Sequence, residues 1–309
     1  MKILVTGGFG FIGSSLVRAL EEKGAKVIIL DNFSSSNFKN IPDFKGEFIF
    51  GDILDKGLLK KLPKLDAFIH TAAITDTTLK DDTLMLKVNY QGFKNILEFC
   101  LNKKINLVYA SSAGVYGSIE GKIKETAPLN PLNTYGFSKA LCDRLVLGLK
   151  SLPKNFTLVG LRYFNVYGKG EAHKGKSASM IYQLYLQMKK GQNPRIFKFG
   201  QQKRDFIYIK DVTRITLKAL EFKGKAILNV GTGKARSFNE IIEILNQNLK
   251  TNLATEYFDN PYEGYYQNFT QADTENLKRL LKIEAEFSLE EGIKDYIKEL
   301  DEGFKRNNQ

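Results

Sequence analysis

The chain has 309 residues, 43% of them hydrophobic, and carries 46 Lys plus Arg against 34 Asp plus Glu, a net charge of +12. That length supports one large domain or two modest ones around a substantial core, and the apolar share is ordinary for a globular protein. The lysines are scattered, and their short groups (Lys60-Lys61, Lys103-Lys104, Lys189-Lys190) fall at predicted helix ends, where cations suit the dipole. A solvated positive surface is therefore expected and nucleic-acid binding is not. Cys100 and Cys142 lie in helical patterns with nothing to pair them, which points to a reduced, cytoplasmic chain. His70 and His173 are too few for a metal site, so no metal is expected. No membrane span and no signal peptide are expected either.

The first element is the apolar run Ile3-Leu4-Val5, read as a buried strand. Thr6-Gly7-Gly8-Phe9-Gly10-Phe11-Ile12-Gly13 follows, and then a helical pattern with Ile12, Leu16, Ala19 and Leu20 on one face. Glycines at a strand-to-helix turn put backbone N–H groups and the helix dipole where a pyrophosphate can sit. Gly7 allows the tight turn, Gly10 removes a Cβ from the phosphate's path, and Gly13 brings helix and strand close. The second strand, Lys26 to Leu30, ends at Asp31, placed to take a dinucleotide ribose.

A polar loop from Asn32 to Lys39 leads to a third strand, Phe48-Ile49-Phe50, closed by Gly51-Asp52. Ala67 to His70 is the fourth strand. The small residues Thr71, Ala72 and Ala73 after it let a cofactor lie close to the backbone. One long helix is predicted from about Asp82 to Asn102 and carries Asn89. The fifth strand, Leu107 to Ala110, ends in Ser111-Ser112. Tyr135-Gly136-Phe137-Ser138-Lys139 opens a helix, and Thr157 to Arg162 is the sixth strand. Six strands alternating with helices predict an α/β fold with a doubly wound parallel sheet.

The rhythm breaks after Tyr167-Gly168, with a cationic loop over 169–176 and a helix from about Ser177 to Lys190. Short β-like pieces follow near Ile196-Phe197 and Phe206 to Ile209, and then a strand, Ile227 to Val230. Ser237 with Glu240, and Ser288 with Glu291, are capping boxes for two helices. The expected division is a dinucleotide-binding domain of 1–167 plus 206–234 and a smaller lobe of 168–205 plus 235–309.

Tyr135 and Lys139 are four apart at a helix start and share one face. A phenol titrates near about 10 in isolation, and a neighbouring ammonium and an oxidised nicotinamide both favour phenolate. Ser112, at a neighbouring strand end, can bond the same substrate oxygen. Removal of a proton while a hydride leaves the same carbon is alcohol oxidation.

With these residues on the page, the sequence resembles the extended short-chain dehydrogenase/reductase family over nearly its whole length. Within that family it is most similar to the ADP-L-glycero-D-manno-heptose 6-epimerases. The resemblance rests on Tyr109-Ala110-Ser111-Ser112-Ala113, Arg162 to Gly168, His173-Lys174-Gly175, Lys203-Arg204-Asp205-Phe206, and Tyr266-Gln267 with Phe269-Thr270-Gln271-Ala272-Asp273. It implies an epimerase that uses bound NADP as a transient hydride store at C6″ of an ADP-heptose, in lipopolysaccharide core precursor synthesis. It further implies Tyr135 and Lys174 as acid/base groups on opposite sides and Lys139 on the cofactor ribose. Phe11, Ile12, Asp31, Asn32, Lys56, Asn89 and Val166 would line the cofactor. Ser112, Asn165, Lys176, Gln183, Phe197, Arg204 and Tyr266 would contact the sugar nucleotide. A homo-oligomer, a homopentamer, is the implied assembly.

Members that use NADP place a lysine in the loop after Asp31-Asn32. Here the nearest is Lys39, whereas Asp31 by itself suits the free 2′-hydroxyl of NAD. A UDP-hexose 4-epimerase would share Ser112, Tyr135 and Lys139. Sugar dehydratases of the family carry Asp-Glu after the active-site Ser or Thr, where this chain has Ala113-Gly114. A catalytically silent dinucleotide sensor would have lost Tyr135 or Lys139, and both are present.

Overall fold

The structure is a computed structural model and describes residues 1–259 and 267–307. Seven parallel strands form the central sheet: β1 (Lys2–Thr6), β2 (Lys26–Asp31), β3 (Glu47–Phe50), β4 (Ala67–His70), β5 (Asn106–Ser112), β6 (Thr157–Tyr163) and β10 (Gly224–Val230). Their order is β10-β6-β5-β4-β1-β2-β3, every pair parallel. The chain runs outward from β1 to β3 and then returns to β4 on the other side of β1. The crevice at the carboxyl ends of β1 and β4 is therefore the switch point where such sheets bind ligands.

The inner strands of the sheet are covered on both faces and read as apolar runs rather than alternating, whereas the edge strand β3 is largely exposed. Ile3 and Val5 pack to one side with α1 (Phe11–Glu22) and α7 (Ile209–Ala219). Leu4 packs to the other with α4 (Gly92–Lys103) and α5 (Thr134–Leu147). Cys100 and Cys142 are free and buried in that second layer, and burial pushes the Cys142 thiol up to about 12. A short helix, α2 (Lys56–Lys60), is capped by Asp55, whose carboxylate accepts from the Gly57 and Leu58 N–H groups.

The long helix predicted from Asp82 to Asn102 is present but interrupted. It comprises α3 (Asp82–Leu86), a π turn (Lys87–Gln91) and α4. The insertion swings Asn89 into the interior. There its amide brackets Ile74, accepting from the N–H at 2.8 Å and donating to the C=O at 2.9 Å, and donates to Ser138 Oγ at 3.1 Å. A π turn re-aims a side chain in this way, often at a functional site.

The second half adds a three-stranded sheet of β7 (Asn165–Tyr167), β9 (Lys203–Tyr208) and β11 (Ala235–Ser237), and a parallel pair, β8 (Arg195–Phe197) with β12 (Glu256–Phe258). β9 runs across the boundary expected between residues 205 and 206. Its first three residues pair with β11 and its last three with β7, so its pairing changes partner at that boundary within one continuous strand. The helix expected from Ser177 is α6 (Met180–Lys189), capped by Ser179, and 172–177 form a 3-10 turn before it. Both capping boxes form, opening α8 (Phe238–Leu249) and α10 (Leu289–Asn307). Between these two helices lies α9 (Glu275–Leu281). Among the described residues no helix is long and apolar enough to cross a membrane, and no cluster could hold a metal.

One buried ion pair locks α5 to the sheet. Asp143 accepts from Arg162 Nε at 2.7 Å, from Tyr109 Oη at 2.8 Å and from Ser111 Oγ at 3.0 Å, with both charged side chains essentially unexposed. Removing one partner of such a pair strands the other charge, at a cost of about 3–5 kcal/mol. Arg162→Met should lower unfolding free energy in urea by that amount, and the double variant Arg162→Met/Asp143→Leu should recover part of it. A loss below about 1 kcal/mol in the single variant would show that the pair is not fully desolvated.

Candidate active site

At the switch point the glycine turn is built as its residue types require. Gly7 holds φ at +65°, and a Cβ there would lie 2.9 Å from the Ala72 backbone. A Cβ on Gly13 would lie 2.1 Å from the Gly7 carbonyl oxygen. No side chain caps α1 after Gly10, so the N–H groups of its first turn are left for a ligand. The resulting groove, about 340 Å³, is lined by Gly7, Gly10, Phe11, Ile12 and Gly13 of the turn. Asp31 and Asn32 line it after β2, Thr71 to Ala73 after β4, and His173 and Lys174 from the second half. A cradle that any added Cβ would fill, open N–H groups and a strand-end carboxylate fit a nicotinamide dinucleotide.

Thr6 organises the floor. Its Oγ1 accepts from the Ala72 N–H at 3.3 Å and shares a hydrogen bond of 2.8 Å with His70 Nδ1, while Thr71 Oγ1 donates to the Thr6 carbonyl. Burial, and secondarily the Lys139 charge, drives the His70 pKa down to about 3, so the ring is neutral.

At the adenosine end Asp31 accepts from the Phe9 N–H (3.1 Å), the Phe33 N–H (2.9 Å) and Ser36 Oγ (2.8 Å), tying the glycine turn to the loop after β2. Asn32 donates to Asp52 at 3.2 Å. Five cofactor candidates, Lys39, Lys56, Asn89, Lys139 and Val166, are not in the groove lining. Lys39 is exposed on a 3-10 turn, its N–H bonded to Asn37. Lys56 is drawn to Glu98 at 3.3 Å. Val166 is half-buried on β7, packed against the core. Asn89 acts one step back, fixing Ile74, which does line the groove.

The expected acid/base residues Tyr135 and Lys139 lie at the start of α5. Asn133 caps that helix by accepting from the Gly136 N–H at 2.8 Å, which puts Tyr135 in the first turn. One turn on, Lys139 is buried, donates Nζ to the Ala110 carbonyl at 2.9 Å and lies 5.9 Å from the Tyr135 ring centroid. Ser112 Oγ accepts from the Gly114 N–H at 3.0 Å. A Cβ on Gly114 would meet Ser112 Oγ at 3.3 Å and the Tyr135 ring at 4.0 Å, so Ser112 and Tyr135 both flank Gly114. Lys174 stands elsewhere. Its Nζ lies 5.7 Å from the Phe11 ring, on the first turn of α1. Burial pulls its pKa below the ordinary lysine value, and Glu171 opposes that shift.

Gln183 and Phe197 meet in a second cavity of about 670 Å³, with Met180, Phe238 and Phe258 as apolar walls. Gln183 Nε2 donates to the Lys176 carbonyl at 3.1 Å and the Ala178 carbonyl at 2.8 Å, leaving its oxygen as the free group. The Lys176 side chain is exposed and outside this lining. Arg204 is buried and donates to the carbonyls of Lys203 and Gln267. Asp205 is engaged by the N–H groups of Thr232, Gly233 and Ala272. Asn165 is exposed on β7, Thr270 Oγ1 reaching its oxygen at 3.4 Å, and Tyr266 lies outside the described residues.

Asp143, Arg162 and Thr6 had no role in the sequence reading. A signal for Asp143 was present: Tyr135, Lys139 and Asp143 repeat every four residues and form a polar stripe on one helical face.

The fold and groove are those of a known class. Residues 3–231 match the NAD dependent epimerase/dehydratase family, and the chain belongs to that family. It is similar to the ADP-L-glycero-D-manno-heptose-6-epimerase of Helicobacter pylori, with 41% identity, a TM-score of 0.90, and 97% of this chain and 96% of that chain covered. The UDP-N-acetylglucosamine 4-epimerase of Methanobrevibacter ruminantium M1 also superposes with a TM-score of 0.90, at 28% identity over 98% of both chains. The UDP-glucose 4-epimerase of Thermotoga maritima does so at 28% identity and a TM-score of 0.90, over 98% of this chain and 100% of that one.

Because folded His70 is neutral at pH values where the unfolded chain takes up a proton, its contribution to stability is intact above about pH 6.5 and falls as pH drops below it, by at most about 1.4 kcal/mol per pH unit. Urea midpoints taken at about pH 7.5 and about pH 5 should separate more in the wild type than in His70→Gln. Equal separations would contradict the neutral, buried assignment.

Proposed function

We propose that the protein converts ADP-D-glycero-D-manno-heptose to ADP-L-glycero-D-manno-heptose, a step of lipopolysaccharide core precursor synthesis, by oxidation and re-reduction at C6″. The observation that carries this reading is that Ser112 and Tyr135 both flank Gly114, with Lys139 buried one helical turn after Tyr135, in a chain with a dinucleotide groove at its switch point. The choice of sugar rests on the 41% identity to the heptose epimerase, against 28% to the two UDP-sugar epimerases.

A bound nicotinamide dinucleotide would supply the hydride acceptor and donor. Tyr135 takes the proton of the C6″ hydroxyl, and Ser112 Oγ orients the same oxygen. Lys139, fixed by the Ala110 carbonyl, holds the ribose and the phenol. The reacting carbon is exocyclic, so rotation about one bond turns its other face. Lys174 then serves as the acid/base group for the second face. Asn165, Arg204, Tyr266 and the Gln183–Phe197 cavity take the ADP portion, with Lys176 at its edge. A homopentamer is part of this reading, by resemblance alone.

NADP requires Lys39 to turn toward the 2′-phosphate. A second reading, NAD, is favoured by the two carboxylates, Asp31 and Asp52, that line the adenosine end of the groove. The same end would suit an NAD-dependent UDP-hexose 4-epimerase.

Incubation of the purified protein with ADP-heptose and, separately, with UDP-glucose and UDP-N-acetylglucosamine separates these readings by NMR. Conversion of the heptose alone is expected, and conversion of a UDP-hexose alone would move the protein to the second class. Tyr135→Phe should lower kcat by about a hundredfold or more, with the unfolding midpoint unchanged. Full activity in that variant would remove Tyr135 from the chemistry. The nucleotide released on denaturation distinguishes NADP from NAD.

A further inference from the structure

The segment from Gly168 to Ser179 leaves β7 and returns at the start of α6, and its middle carries His173 and Lys174 to the dinucleotide groove. One carboxylate staples its two ends. Glu171, fully buried, accepts from the Gly168 N–H at 3.0 Å, from Ser179 Oγ at 2.9 Å and from the Ser179 N–H.

The middle is tied to the 3-10 turn at Phe38–Asn40, in the segment after β2, by a side-chain contact, Asn40 Nδ2 to His173 Nδ1 at 3.1 Å. The direction of that bond is determined by its surroundings. The same Nδ2 donates to the Phe9 carbonyl at 2.9 Å, and turning the amide over would set its oxygen against that carbonyl. The Asn40 backbone is held in turn by Arg18, whose guanidinium reaches its carbonyl at 3.3 Å. Nδ1 of His173 must therefore accept, and the ring is neutral with its proton on Nε2.

We propose that His173 is a positioning residue: its bond to Asn40 closes the segment over the groove, holds Lys174 against the first turn of α1, and retains the dinucleotide between half-reactions. This rests on the cofactor reading given above. Retention matters chemically, because the hydride taken from a sugar must return to the same molecule, and a dinucleotide that left in reduced form would strand the sugar as a ketone.

The bond is sensitive to acid. Protonation removes the acceptor and places a ring N–H against an amide N–H. The groups facing His173 are Asp31 at the end of β2 and Asn40 in the segment after it, and the Gly170 carbonyl and Lys174 from its own segment. Burial and Lys174 disfavour the charged ring, Gly170 and Asp31 favour it, and the balance leaves the pKa below the ordinary histidine value.

The test is a displacement experiment. Protein loaded with NADH or NADPH is mixed with excess oxidised nucleotide, and loss of nicotinamide fluorescence reports release. Asn40→Ala should release about tenfold faster than wild type, with its unfolding midpoint little changed. The double variant Asn40→Ala/His173→Ala should release no faster than Asn40→Ala, because the two residues share one bond. Wild-type release should accelerate as pH falls toward about 5, whereas His173→Gln, whose amide oxygen accepts at any pH, should show no acceleration. Wild-type release rates in Asn40→Ala, additive effects in the double variant, or acid acceleration persisting in His173→Gln would each overturn the proposal and leave the cofactor reading standing. A wild-type protein that binds neither reduced nucleotide overturns the cofactor reading, and this one with it.

Discussion

The contact on which the site depends is the buried bond between Arg162 and Asp143. A helix lying on a sheet can slide or roll by small amounts, and either motion would move Tyr135. Asp143 prevents both by taking Arg162 from β6 and Tyr109 and Ser111 from β5 on a single carboxylate. Arg162 also donates to Tyr116 Oη, which donates to Asn229 at the end of β10. Taking two charges out of water costs nearly as much as their attraction returns, so the worth of this pair is geometric. It sets the rotation of α5, and through Lys139 and Tyr135, one and two turns earlier on the same face, the direction in which the phenol points.

Charge is handled with the same economy beneath the groove. Lys139 and His70 are close enough to feel one another, and burial together with the lysine keeps the imidazole neutral. One cation therefore remains beside Tyr135, held by the Ala110 carbonyl. On the opposite side Lys174 is half-buried against α1, carried by a segment that Glu171 staples at both ends. The two candidate acid/base groups thus arrive on unrelated elements, one from a helix locked to the sheet and one from a loop tied at its ends.

Much of this was legible in the sequence because it follows from local pattern. Buried parallel strands read as apolar runs, the glycine turn between β1 and α1 as a phosphate cradle, and Tyr135 with Lys139 as one helical face. What was not legible depends on partners distant in sequence. The π turn exists because Asn89 brackets the backbone of Ile74, and nothing within the helix announces that. Lys56 was expected at the cofactor and is found with Glu98, since an exposed cation settles by whichever carboxylate folding brings near.

The central claim is that the hydride never leaves the enzyme. It is tested most directly with ADP-D-glycero-D-manno-heptose deuterated at C6″, incubated with the protein in ordinary water and followed by NMR. The account predicts the L-glycero product with its deuterium kept at C6″, because the same hydride is removed and returned. Product that has exchanged its deuterium for hydrogen would mean inversion by proton abstraction, and would contradict the account.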